Sequence, residues 1–289
     1  MKKIFLISII FLTYLNAQKI VTVSIVPQKY FVEKIAKDKV IINVMVKPGF
    51  SPASYEPKTS QMKDLVNSEI YFSIGVPFEE SWLNKFKDIN KNMRVVDTSK
   101  GIKKNIIAEH HHHDEDGHHE EEDHDEGEIL DPHIWLDPIL VKTQAKNILD
   151  ALVLMDNENR KFYYDNYKAF LVELDSLHEK LSLMLKEVKG EKFMVFHPSW
   201  GYFATRYDLE QEAVEKEGKN PKPKEIIDLI DEAKEDGIKV VFVAPQFSKK
   251  SAKIIANGIG GNTIFIDPLS YDWEESLITT ATEIVNSYK

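Results

Sequence analysis

Residues 157–188 contain neither Gly nor Pro, and their apolar positions fall at Phe162, Phe170, Leu174, Leu177, Leu181, Leu185 and Val188. The steps are three, four or twice four, the period of one helix face. Lys168, Glu173, Asp175, Glu179, Lys180 and Lys186 occupy the opposite side. At about 1.5 Å per residue this helix would span roughly 48 Å, well beyond an ordinary globular helix. A coiled coil is one reading, but the seam is short and rich in aromatics. A rigid strut between two domains fits better, because both flanks read as strands alternating with helices.

Ahead of the strut, β-branched and apolar runs at residues 20–26, 40–46, 69–74 and 93–96 predict strands. Helical patterns lie between them at 30–36, 60–67 and 79–86. Asp137 and Pro138 then cap and open a helix reaching about Met155. Behind the strut, strands are predicted at 192–196, 207–214, 240–244 and 263–266. The helices there are 223–235, 249–257 and the tail from Trp273. Short apolar strands alternating with helices predict an α/β fold of two lobes, each a parallel sheet flanked by helices. The expected N-terminal lobe is 18–155, the connecting helix 156–189 and the C-terminal lobe 190–289.

The formal net charge of −10 argues against nucleic acid as a partner. Residues 109–128 hold eleven acids and no Lys or Arg, so the remainder of the chain is close to neutral. There is no Cys, which excludes disulfides, thiolate metal sites and Cys nucleophiles. At the N-terminus, Lys2-Lys3 precede an apolar run from Ile4 to Leu15, and Leu15-Asn16-Ala17 is a small-residue exit. That order predicts an export signal cleaved after Ala17, giving an exported protein. No later stretch approaches the ~18 apolar residues of a membrane span.

Three residues beside prolines are candidates for chemistry. His197 and Asp267 each follow a predicted strand, the place where open α/β sheets bind ligands, and His133 precedes a predicted helix. Two imidazoles and a carboxylate suit zinc, and equally iron or manganese. Taken singly, each is more often structural. The segment 109–128 adds weight: His110, His111, His112, His113, His118, His119 and His124 are seven of the ten histidines, interleaved with carboxylates. Its composition cannot build a core and predicts a disordered loop. An acidic loop needs no histidines, and imidazole is the commonest protein metal ligand, so accessory metal binding is expected there. His178 sits on the polar side of the strut and reads as solvated. No HExxH, P-loop or GxSxG motif is present.

Four motifs carry a family resemblance. They are Ser24-Ile25-Val26-Pro27, the stretch Pro48-Gly49-Phe50-Ser51-Pro52-Ala53-Ser54-Tyr55-Glu56-Pro57, the stretch Asp131-Pro132-His133-Ile134-Trp135-Leu136-Asp137-Pro138, and His197-Pro198-Ser199-Trp200-Gly201-Tyr202-Phe203. With the His-rich loop ahead of the third, they make the chain resemble the periplasmic metal-binding components of ABC importers, most closely the zinc-binding (ZnuA/TroA-type) branch. The resemblance implies two α/β lobes joined by a long helix, with a metal in the cleft held by His133, His197 and Asp267. Asp131 or Asp137 would orient His133. The family's first ligand is a His where this chain has Ala53, which leaves an open position for water or a loop histidine.

The implied function is capture of Zn²⁺, with Mn²⁺ as a second candidate, and delivery to an ABC-type permease in the inner membrane. No catalysis is implied, and a monomer is expected. A periplasmic zinc buffer or chaperone and a zinc-dependent hydrolase are the rival readings.

Overall fold

The computed structural model describes residues 18–107, 130–215, 219–247 and 249–289. The export signal expected at 1–17 and the seven loop histidines from His110 to His124 lie outside the described residues. Strands β1 (Lys19–Val23), β2 (Val40–Val44), β3 (Ile70–Ser73) and β4 (Arg94–Asp97) form a parallel sheet in the order β2-β1-β3-β4. Strands β5 (Lys192–Val195), β6 (Glu210–Ala213), β7 (Val240–Val243) and β8 (Asn262–Phe265) form a second one, ordered β6-β5-β7-β8. The two sheets therefore share one topology. β3 and β7 are buried at every position because each lies inside its sheet, which is why they read as unbroken apolar runs. The edge strands β4 and β8 are exposed at both ends.

The helices are α1 (Val26–Ala36), α2 (Thr59–Leu65), α3 (Pro77–Ile89), α4 (Pro138–Met155) and α5 (Arg160–Met184) in the first half. The second half adds α6 (Gly201–Tyr207), α7 (Pro223–Glu235), α8 (Lys249–Gly258) and α9 (Trp273–Ser287). With the 3-10 turns at Asn157–Asn159 and Lys186–Val188, α5 makes nearly all of the predicted strut helical.

The structure corrects four local expectations. Val26, expected to end the first strand, instead opens α1 together with Pro27, where a proline in the first turn forfeits no helical bond. Tyr207, expected to begin a strand, ends α6, and Asp208 closes that helix in the left-handed region at φ 59°. Tyr163 rather than Phe162 is fully buried on α5, with its hydroxyl donating to Asp156 Oδ2 at 2.7 Å. Seven residues before Phe170 is about two helical turns, whereas eight overshoots the buried face. His178, expected to be solvated, is half-buried, its ring centroid 5.7 Å from that of Tyr207.

Phe170, Leu174, Leu177 and Leu181 of α5 join buried residues of both lobes into one cluster. α9 returns to the first lobe, where Trp273 meets Phe31 edge-on with centroids 5.1 Å apart. Trp135 Nε1 donates to the Pro268 carbonyl and Trp273 Nε1 to the Trp135 carbonyl, both at 2.7 Å. These buried bonds and the shared core tie the lobes together where the cleft between them begins. A second cluster, which includes Leu229 of α7 and Ile255 of α8, belongs to the C-terminal lobe alone. Among the described residues no helix is long and apolar enough to cross a membrane.

Candidate metal centre

A cleft of about 570 Å³ opens where the carboxyl ends of the two sheets meet. Its wall includes Ala53 from the loop after β2, Gly75 after β3, His133 ahead of α4, His197 after β5 and Gln246 after β7. This is the carboxyl-end location at which parallel sheets bind ligands. Ala53 thus shares one cleft with His133 and His197.

The two imidazoles face one another with ring centroids 5.3 Å apart. His133 is held from below: Asp131 Oδ1 is 2.7 Å from its Nδ1 and also accepts its backbone N–H at 2.9 Å. Trp135 lies against the same ring at 5.0 Å. His197 has a matching support, with Glu215 Oε1 2.7 Å from its Nδ1 and Phe247 stacked on it at 4.7 Å. Asp131 and Glu215 are themselves only 5 % and 7 % exposed. A carboxylate on Nδ1 fixes the tautomer with the proton there, leaving the Nε2 lone pair of each ring for a cation. Burial lowers the His133 pKa, and the Asp131 carboxylate only partly offsets it, so the ring stays neutral.

The remaining candidates are placed as follows. Asp267 lies beyond β8, and its Oδ1 accepts from Gln246 Nε2 at 2.9 Å and from Leu269 N at 3.0 Å. Asp137 is engaged elsewhere. It caps α4 through Ile139 N at 2.8 Å and binds the Arg206 guanidinium at 2.7 and 2.9 Å. Of the two aspartates expected near His133, Asp131 is the one bonded to it. Among the described residues no three His, Asp or Glu side chains stand together as a ready-made ligand cluster. The structure thus brings the two histidines together, and Asp267 is not among the residues that line the cleft.

Sequence reasoning missed Glu215, Phe247 and Gln246. Glu215 had a usable signal, since it directly follows the predicted strand ending at Val214, the rule that selected His197 and Asp267. Gln246 and Phe247 carry no charge and stand beyond the end of β7, so nothing in the local pattern singles them out.

The family model described as "Zinc-uptake complex component A periplasmic" matches residues 21–287. Among curated proteins, the chain is 28 % identical over 247 residues to the high-affinity zinc uptake system protein ZnuA of Bacillus subtilis. That match covers 84 % of this chain and 76 % of the relative. Among solved structures, a crystal structure of ZnuA is 41 % identical with a TM-score of 0.86, covering 94 % of this chain and 100 % of the other. A ZnuA deletion mutant with zinc bound is 40 % identical with a TM-score of 0.84, covering 94 % and 98 %.

Proposed function

The chain belongs to the family of periplasmic A components of zinc-uptake complexes, and from that premise we propose that it captures Zn²⁺ between its lobes and delivers it to an ABC-type permease. His133 and His197 supply two nitrogen donors, and Asp267 supplies a carboxylate oxygen as the ligand-bearing loops close on the ion. Mn²⁺ is the second candidate cargo. The role is capture and release, not catalysis. Export with cleavage after Ala17, action as a monomer and accessory metal binding by the loop histidines belong to the same reading.

One observation carries it: two facing imidazoles in a cleft, each with Nδ1 turned onto a buried carboxylate. Metal-ligating histidines almost always donate their second N–H in this way. A histidine buried only for packing does not need a buried acid beneath it, since burying that acid is itself costly.

The test is zinc titration of the purified protein and of His197→Ala, with intact-mass measurement of periplasmic material. The expected results are one tight site lost in the variant, weak binding retained, and a native mass that starts at Gln18. Unchanged tight binding in His197→Ala would refute the ligand assignment.

A further inference from the structure

We infer that Gln246 is a positioning residue of the metal site, one that aims Asp267 at the cation; this rests on Asp267 being a ligand, as proposed above. Gln246 lines the cleft just past the carboxyl end of β7, the strand that neighbours β8. Its Nε2 donates to Asp267 Oδ1 at 2.9 Å, and Leu269 N donates to the same oxygen at 3.0 Å. Two donors on Oδ1 hold the carboxylate in one orientation. Among the described residues no donor is bonded to Oδ2, which is left for a metal ion. Glu215 and Asp131 fix the histidines, and Gln246 does the same for the third ligand.

The second observation is the cost that Gln246 carries. Its Oε1 is buried and, among the described residues, has no hydrogen-bond partner. Reversing the amide would not help, because it would set two oxygens against each other at the Asp267 contact. The side chain is therefore locked: its N–H is committed to Asp267, and its carbonyl is stranded as a result. An unsatisfied buried acceptor in a native structure calls for an explanation, and a functional constraint on the opposite end of the amide supplies one. A nonpolar side chain of similar shape would remove that cost and lose only the aim of the carboxylate.

A double-substitution cycle on the full chain tests this, read by chelator competition for Zn²⁺ and by thermal unfolding of the metal-free protein. The substitutions are Gln246→Met and Asp267→Asn. The asparagine keeps an oxygen for Gln246 and Leu269 while replacing the metal-facing oxygen by an amide nitrogen that cannot coordinate. Gln246→Met should weaken zinc binding roughly 10–100-fold, the usual effect of losing a ligand's supporting bond. In the Asp267→Asn background the same substitution should change affinity by less than about twofold, because side chain 267 no longer offers a metal ligand for Gln246 to aim. The melting temperature of metal-free Gln246→Met should equal or exceed that of the native chain.

Tight binding retained in Gln246→Met while Asp267→Asn is impaired would overturn the role of Gln246 alone. Equal losses in both backgrounds, or a lowered metal-free melting temperature, would show a merely structural residue and overturn it too. No effect of Asp267→Asn would overturn this inference together with the carboxylate assignment on which it rests.

Discussion

Ala53→His is the most informative single change. Ala53 is exposed on the cleft wall, so an imidazole there displaces no packed atoms. Its loop is already anchored. Pro52 O accepts from Phe78 N at 3.1 Å, Ala53 N is 3.2 Å from Ser51 Oγ, and Tyr55 OH donates to Gln61 Oε1 at 2.7 Å. The Tyr55 ring stands edge-on to both Phe50 and Phe78, with centroids 5.8 Å away in each case. Little loop entropy is therefore left to lose when a side chain at position 53 reaches for the metal. Zinc in a closed site prefers four ligands, and the reading proposed above supplies three, His133, His197 and Asp267. Losing even a supporting bond to a ligand commonly costs ~10–100-fold in affinity. Gaining a direct ligand should return at least that much, about 1.4–2.7 kcal/mol. The comparison belongs in protein lacking residues 109–128, where no loop histidine can take the open position. Zinc affinity would be measured by competition against a chelator of known strength. Equal affinities with and without the new histidine would mean that another protein group already fills the fourth position, and the three-ligand argument would be wrong.

Three further outcomes are expected. Glu215→Gln should weaken zinc binding roughly 10–100-fold without unfolding the protein, since it leaves His197 in place but removes the acid that holds its tautomer; calorimetric titration beside a melting curve separates the two effects. Burial holds the His133 pKa below the ordinary 6.5 in the folded chain, so on acidification the unfolded chain binds that proton first. Stability of the metal-free protein should therefore fall as pH drops through and below 6.5, and His133→Gln should flatten that slope in pH-dependent melting. Glu79, 2 % exposed, accepts from Ile74 N, Gly75 N and Ser24 Oγ behind the cleft wall. Glu79→Ala leaves the buried Ile74 N–H unpaired, while Ser24 Oγ keeps Tyr71 and Phe72 as partners, and should cost about 2 kcal/mol in denaturant unfolding, against well under 1 kcal/mol if water replaced the carboxylate fully.

Much of this molecule is written in its local pattern. The 3.6-residue period marked α5, apolar runs marked the inner strands, and Pro223 with Gly237 bracketed α7. These are legible because burial of one helix face, or of both faces of an inner strand, constrains residues that are near neighbours in the chain. Position past a strand end likewise singles out His197 and Asp267 from the sequence. Where the local pattern was ambiguous, packing decided. Phe162 and Tyr163 are both aromatic, and only the phase of α5 against the core settled which is buried. Asp131 and Asp137 lie at comparable distances in sequence from His133. The choice between them fell to Arg206, distant in sequence, which engages Asp137. The pairings His197 with Glu215 and Gln246 with Asp267 join loops from different strands. Such pairs leave no periodic trace, because what matters is the distance between strand ends after the sheets have formed. Sequence by itself thus determined most of the elements, the two-lobe plan and the side chains suited to a metal; tertiary structure alone decided that 201–207 is a helix and which carboxylate supports which histidine, because these depend on through-space packing rather than on order along the chain.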